Sequence, residues 1–182
     1  MRIIAGSRKG HKLHPIKGRV IRPTADRIRE AIFNILGSMI IDAVVLDLYA
    51  GTGAMGIEAL SRGAAVALFV EKNPHSLQMI TQNLGHLNLI KQGRVFKRDI
   101  LKGLSWMKTL EHRFDIVFMD PPYDKNYVAK TLLFLSKADI LSSRIHIIAE
   151  HSVREAAPEF VGDLALYDQR KYGKIMVSFY ER

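Results

Sequence analysis

The chain has 182 residues, 48% hydrophobic and 25% charged, with no cysteine. That composition supports one globular domain and excludes disulfides, thiolate metal sites and cysteine nucleophiles. The net charge is +9, and +8 of it lies in residues 1–29, where Arg2, Arg8, Lys9, Lys12, Lys17, Arg19, Arg22, Arg27 and Arg29 face Asp26 alone. The most apolar stretch, residues 39–50, is interrupted by Asp42 and Asp47, which excludes a membrane span there.

In chain order, Arg2–Ala5 and Lys12–Ile16 read as two short strands around a Gly6–Gly10 turn. Apolar residues alternate with cations here, so a small folded hairpin is expected, and its charge suits a phosphate backbone. Pro23 stops extended structure, Thr24 caps a helix over residues 25–36, and Gly37 ends it. Strands are expected at 43–48, 65–70, 94–98, 114–119 and 145–149, and helices at 54–62, 74–84, 101–110 and 125–135. Residues 164–169 and 175–180 form a closing hairpin around Tyr172-Gly173.

Alternating strands and helices imply a mostly parallel sheet covered on both faces. Asp47, Glu71, Asp99 and Asp120 stand at the ends of four successive strands, with Leu48 following Asp47. Ligands of open sheets bind at those carboxyl ends.

Gly51-Thr52-Gly53-Ala54-Met55-Gly56 follows a strand and opens a helix. Gly51 and Gly53 permit a tight turn close to a ligand, and Gly56 lets the helix lie near the strand. Glu71, 20 residues after Gly51, can accept ribose hydroxyls. This pattern suits a nicotinamide dinucleotide as well as S-adenosylmethionine. Three features favour the methyl donor. Asp47 can pair with an ammonium but would repel a pyrophosphate. Asp99-Ile100 offers an acceptor and an apolar wall to adenine. Asp120-Pro121-Pro122-Tyr123 has no natural role in hydride transfer.

That tetrapeptide is the sharpest signal. An exocyclic nucleobase amine is a poor nucleophile, because its lone pair is delocalised into the ring. Two acceptors aimed at its hydrogens, the Asp120 carboxylate and the Pro121 carbonyl, draw it towards tetrahedral geometry. Tyr123 can stack on the base, which must leave its helix to enter. The seven histidines show no metal-ligand spacing, so no metal is expected.

Residues 46–53 and Asp120-Pro121-Pro122-Tyr123 resemble the amino-methyltransferase motifs shared by DNA and RNA enzymes. Arg2-Ile3-Ile4-Ala5-Gly6 with Lys9-Gly10, Arg22-Pro23-Thr24-Ala25-Asp26-Arg27 running into residues 31–36, and residues 56–64 are similar to the RsmD family. Members of that family are bacterial 16S ribosomal RNA guanine-N2 methyltransferases. Tyr49, Thr52 and Met55 stand where Phe, Ser and Leu are more usual.

The resemblance implies an α/β Rossmann-like class I fold, with a mostly parallel seven-stranded sheet and an antiparallel C-terminal hairpin. It also implies one guanine of 16S ribosomal RNA as target, within an assembling 30S particle. Residues 1–24 are then an RNA-contact extension and 25–182 the methyltransferase domain. The expected donor set is Asp47, Tyr49, Gly51, Thr52, Gly53, Glu71, Lys72, Asp99 and Ile100. The expected RNA contacts are Arg2, Arg8, Lys9, Lys12, Arg19 and Arg22. A cytoplasmic monomer with no membrane contact is expected. The rival readings are a DNA adenine-N6 or cytosine-N4 methyltransferase, a nicotinamide oxidoreductase and an RNA-binding protein without activity.

Overall fold

A computed structural model describes residues 1–14, 26–110 and 112–182. The expectations for Lys17, Arg19, Arg22 and Thr24 lie outside the described residues, as does the end of the expected second strand.

The helices are α1 (Asp26–Leu36), α2 (Ala54–Ser61), α3 (Pro74–His86) and α4 (Tyr127–Lys137). The strands are β1 (Val44–Leu48), β2 (Val66–Glu71), β3 (Gly93–Lys97), β4 (Phe114–Met119), β5 (Leu141–Ser152), β6 (Phe160–Val161), β7 (Leu164–Tyr172) and β8 (Ile175–Glu181). They form one sheet in the order β3-β2-β1-β4-β5-β8-β7-β6. The first five are mutually parallel and the last three antiparallel. The chain order reverses between β1 and β4, which opens a crevice outside their carboxyl ends, where ligands of such sheets bind.

Alternation along each strand divides the core. Val45, Phe69, Ile116 and Ile148 face α1, α2, α3 and the N-terminal segment. Leu46, Leu48, Val117 and Ile147 face α4 and the turns before β4. Gly56 permits the close approach of α2 to the sheet, since a Cβ there would lie 2.4 Å from the Phe69 ring.

Three expectations need correction. Among the described residues the sheet has eight strands, not seven: the extra one, β6, has two residues, too few to show a periodicity. Residues 101–110 are not an α-helix. They form two 3₁₀ turns, Ile100–Lys102 and Ser105–Thr109, separated by Gly103 at φ 95°. The buried Ile100, Leu104 and Met107 produce helical spacing without a continuous helix.

Among the described residues the N-terminal pairing is also reduced, to one bridge between Arg2 and Lys12, supported by Ile3 N–H to the His11 carbonyl at 3.0 Å and Gly10 N–H to the Ile3 carbonyl at 2.9 Å. The reason is competition. The Ile4 and Ala5 N–H groups donate to the buried Glu58 carboxylate at 2.8 and 3.0 Å. The segment is thus pinned to α2 rather than extended into a ladder. Ser61 adds to this, its Oγ donating to the Ala5 carbonyl at 2.6 Å and accepting from Arg8 N–H at 3.0 Å.

Gly6, at φ 81°, makes the docking possible: a Cβ there would fall 1.8 Å from the Ser61 carbonyl oxygen. Neither atom can yield without breaking the contact. Gly6→Ala is therefore expected to undock residues 1–10, costing about 2–3 kcal/mol. Limited proteolysis should then cut near Arg8 or Lys9 many times faster than in the parent chain. An unchanged cleavage rate would show the docking to be dispensable.

Candidate active site

The β1 strand ends at Leu48, and the chain turns through Tyr49 at φ 60°, Gly51 at φ 53° and Gly53 at φ 77° before entering α2. These left-handed positions explain the glycines and place a constraint on Tyr49. The Tyr49 hydroxyl lies 2.8 Å from Thr131 Oγ1 on α4, which holds the ring. Burial pushes its phenol up to about 12, so it stays neutral.

Asp47 sits on β1, only 3% exposed. Its Oδ2 accepts the Gly56 N–H at 2.9 Å. Burial, against that hydrogen bond and with help from the negative Glu71, pushes its carboxyl up to about 8. Among the described residues no cation pairs with it. A buried acid at a cavity wall with no cation of its own suits a ligand ammonium.

Glu71, at the end of β2, is held from three directions. Oε2 accepts Gly51 N–H at 3.1 Å, and Oε1 accepts the Lys72 and Asn73 N–H groups at 2.8 Å each. A carboxylate offers about four acceptor directions, so it is rigid and keeps little spare capacity for a ribose. Asp99 accepts Leu101 N–H on Oδ1 at 3.1 Å, and its Oδ2 lies 3.9 Å from Lys72 Nζ.

Asp120 follows β4 directly, across the crevice from Asp47. Tyr123 is anchored through its hydroxyl, which donates to Glu150 Oε1 at 2.5 Å. Glu150, one residue past the strand expected at 145–149, lies within β5 and is buried. Its placement there directs a carboxylate at the tyrosine and fixes the ring that borders the crevice.

One cavity of about 660 Å³ joins these parts. Asp47, Tyr49, Gly51, Thr52, Glu71, Lys72, Asp99, Ile100, Asp120, Pro121, Pro122 and Tyr123 all line it. Gly53 does not. It begins α2 and packs towards Ile80 and Ile57.

Sequence reasoning missed Asn73, Ser76, Arg98 and Met1, which also line the cavity. Asn73 had a signal: Asn-Pro two residues after a strand-end acid marks a capped helix start, and its Oδ1 accepts the His75 N–H at 2.9 Å. Met1 had none, because its position depends on the docked segment.

Of the cations expected at RNA, Arg2, Lys9 and Lys12 are exposed. Arg8 is partly engaged, its Nε donating to the Leu87 carbonyl at 2.7 Å. That bond fastens the N-terminal loop to the end of α3. No group of three or more His, Asp or Glu that could hold a metal ion occurs among the described residues, and no described helix is long and apolar enough to cross a membrane.

A parallel sheet reversing between β1 and β4, with a glycine turn after the first and Asp-Pro-Pro-Tyr after the second, is the architecture of the Rossmann-like class I methyltransferases. Residues 1–181 match the family described as Conserved hypothetical protein 95. The chain belongs to that family, the RsmD family its motifs resemble.

Among its relatives, YlbH of Bacillus subtilis (strain 168) is 36% identical over 182 residues, covering 100% of this chain and 99% of that protein. Ribosomal RNA small subunit methyltransferase D of Escherichia coli (strain K12) is 34% identical, covering 100% of this chain and 90% of the relative. The solved structure of yhhF from Escherichia coli matches with a TM-score of 0.88 at 33% identity, covering 100% of this chain and 97% of that one.

Proposed function

We propose that the chain transfers a methyl group from S-adenosylmethionine to the exocyclic N2 of one guanine in 16S ribosomal RNA, presented by an assembling 30S particle. The observation that carries the reading is that Asp47 of β1, Glu71 of β2, Asp99 just after β3 and the Asp120–Tyr123 turn line the same cavity. The full-length relative named Ribosomal RNA small subunit methyltransferase D supports the substrate class.

When bound, the donor supplies an electrophilic methyl carbon on a sulfonium. Asp47 takes its ammonium. Glu71, fixed by three backbone N–H groups, offers its remaining acceptor direction to one ribose hydroxyl. Asp99 and Ile100 take the adenine edge and face, with Tyr49, Gly51, Thr52 and Lys72 closing the pocket. Asp120 accepts one N–H of the guanine amine, and the Pro121 carbonyl accepts the other. Pro122 keeps the turn rigid, and Tyr123, its hydroxyl held by Glu150, stacks on the base.

Nitrogen then bonds the methyl carbon as the sulfur–carbon bond breaks, and the ammonium proton passes to Asp120 or water. Positioning alone supplies about 7–11 kcal/mol to such a step. Residues 1–24 serve as an RNA-contact extension on the methyltransferase domain of 25–182, with Arg2, Lys9, Lys12, Arg19 and Arg22 at the phosphates and Arg8 contributing its charge while its Nε and Nη1 hold the Leu87 and Ser7 carbonyls. The chain works as a cytoplasmic monomer.

The test supplies labelled donor to small ribosomal subunits lacking the modification, naked 16S RNA and duplex DNA. Nucleosides are then mapped by mass spectrometry. Label in N2-methylguanosine of the small subunits is expected. Label confined to DNA, or on another base, overturns the assignment.

The state of Asp47 sets a pH dependence. Its folded value, about 8, lies above the unfolded 3.8, so folding favours the protonated form. Stability from this group is intact below pH ~4 and falls as pH climbs towards 8. A bound ammonium needs the ionised form. Donor affinity is therefore expected to rise with pH, approaching tenfold per unit below 8, with about one proton released per donor bound near pH 6.5.

Asp47→Asn should weaken donor binding about tenfold or more, yet raise the stability of the free protein at pH 8 by on the order of 1–4 kcal/mol. Titration calorimetry in two buffers of different ionisation enthalpy measures the proton, and urea unfolding measures the stability. Donor affinity that is flat in pH would remove Asp47 from the ammonium site.

A further inference from the structure

Beyond residue 29 the cations and acids nearly cancel along the sequence, but the fold separates them. Because β8 runs antiparallel to β5, with Ser152 opposite Ile175, the β7–β8 turn lies at the carboxyl end of the parallel strands. That is the end where Asp120 sits. Val153 N–H donates to the Lys174 carbonyl at 3.2 Å, and Asp124 N–H donates to Glu155 Oε2 at 3.2 Å. The loops after β4, after β5 and between β7 and β8 therefore form one continuous rim that starts at Tyr123.

Lys125, Arg154, Lys171 and Lys174 stand on this rim, all exposed. None of the four forms an ion pair among the described residues. The acids nearby are fewer and partly engaged. Glu155 accepts the Asp124 N–H, and Asp168 pairs with Arg170 at 2.8 Å. Asp124 is exposed and offsets one cation. At the N-terminal side, Met1 lines the cavity and Arg2 beside it is exposed.

We infer that this rim is a second phosphate-contact surface, holding the RNA backbone on the side of the target base away from the N-terminal segment. The inference rests on the function proposed above. A base reaches Asp120 only after leaving its stack. A strand gripped on one side alone can relieve that strain by sliding, whereas cations on both sides of the cavity hold the flanking phosphates while the base turns in. Lysines on loops suit this task, because each is a compact charge on a flexible stem and needs no fixed phosphate geometry.

The test is a double variant, Lys171→Ala with Lys174→Ala. Its binding to small ribosomal subunits lacking the modification is measured against salt. The control is Lys108→Ala with Lys137→Ala, two exposed lysines near the opposite ends of the strands. The rim variant is expected to bind about tenfold more weakly at ~0.1 M salt, and its log K against log salt slope to fall by about 1.5–2. KM for the subunits rises, while kcat and donor affinity stay unchanged. The control should leave all five quantities as in the parent chain.

Binding and slope equal to the parent's overturn the rim while the parent's methylation still stands. A parent chain that neither binds nor methylates the subunits overturns the proposed function, and the rim with it.

Discussion

Asp120→Ala is expected to stop methyl transfer, lowering kcat at least about a thousandfold, ~4 kcal/mol of transition-state stabilisation. The residue lines the cavity just past β4, together with the proposed donor acids Asp47 of β1, Glu71 of β2 and Asp99 just after β3. Its removal leaves Asp47, Glu71 and Asp99 and their backbone partners in place, so donor affinity should change by less than about twofold. RNA affinity should hold as well, because phosphate contacts dominate it. Asp120→Asn keeps the size and one acceptor oxygen but can turn donors towards the amine, and an intermediate loss of about 10–100-fold is expected. Single-turnover assays with labelled donor read the chemical step. A rate within tenfold of the parent for Asp120→Ala would remove the carboxylate from the reaction.

Glu58→Ala is expected to be the most damaging change to stability outside the hydrophobic core. Glu58 and Arg29 are each 1% exposed. The carboxylate accepts Ile4 and Ala5 N–H, and Arg62 Nε at 2.8 Å, with Arg29 Nε 3.6 Å away. Arg29 Nη2 also donates to the Arg2 carbonyl at 2.5 Å, but its Nε and Nη1 make no hydrogen bond among the described residues. Losing Glu58 leaves the buried Arg29, among the described residues, with the half-exposed Asp26 carboxylate at 3.2 Å as its remaining ionic partner, and strands two backbone donors, a cost of about 3–5 kcal/mol. A domain of ordinary stability has about 5–15 kcal/mol in total. Glu58→Gln keeps an acceptor and should lose less. Arg62→Ala, at the more open side of the cluster, should lose about 1 kcal/mol. Urea midpoints would rank the three. Equal midpoints for Glu58→Ala and the parent would mean that the N-terminal segment docks by its apolar residues alone.

The cluster around Glu58 also shows why part of the molecule was illegible in sequence. Residues 56–64 stood out only by resemblance. Glu58 lies on a short, nearly apolar helix where a solvated acid is the ordinary expectation. Its partners are 53 and 54 residues away in the chain, and no periodicity connects them. Arg8 is a similar case: a cation in a basic segment reads as a phosphate contact, but the fold gives its Nε the Leu87 carbonyl 79 residues on. The helix expected at 101–110 misled for a different reason. Apolar spacing reports which side chains are buried, and two 3₁₀ turns around Gly103 bury the same residues.

What the chain determined by itself was local. The alternation of strands and helices, the glycine turn after β1 and the acids at strand ends follow from period, turn chemistry and burial of each segment, properties carried by neighbouring residues. The tertiary structure alone decided which of those ends share one cavity, that Asn73, Ser76 and Met1 join it, that Gly53 does not, and that Lys125, Lys171 and Lys174 stand on adjoining loops at that end of the sheet. The physical reason is the reversal of chain order between β1 and β4, together with the antiparallel return of β8. These bring distant segments to one edge of the sheet, and a hydrogen bond or a field acts through space, without regard to position along the chain.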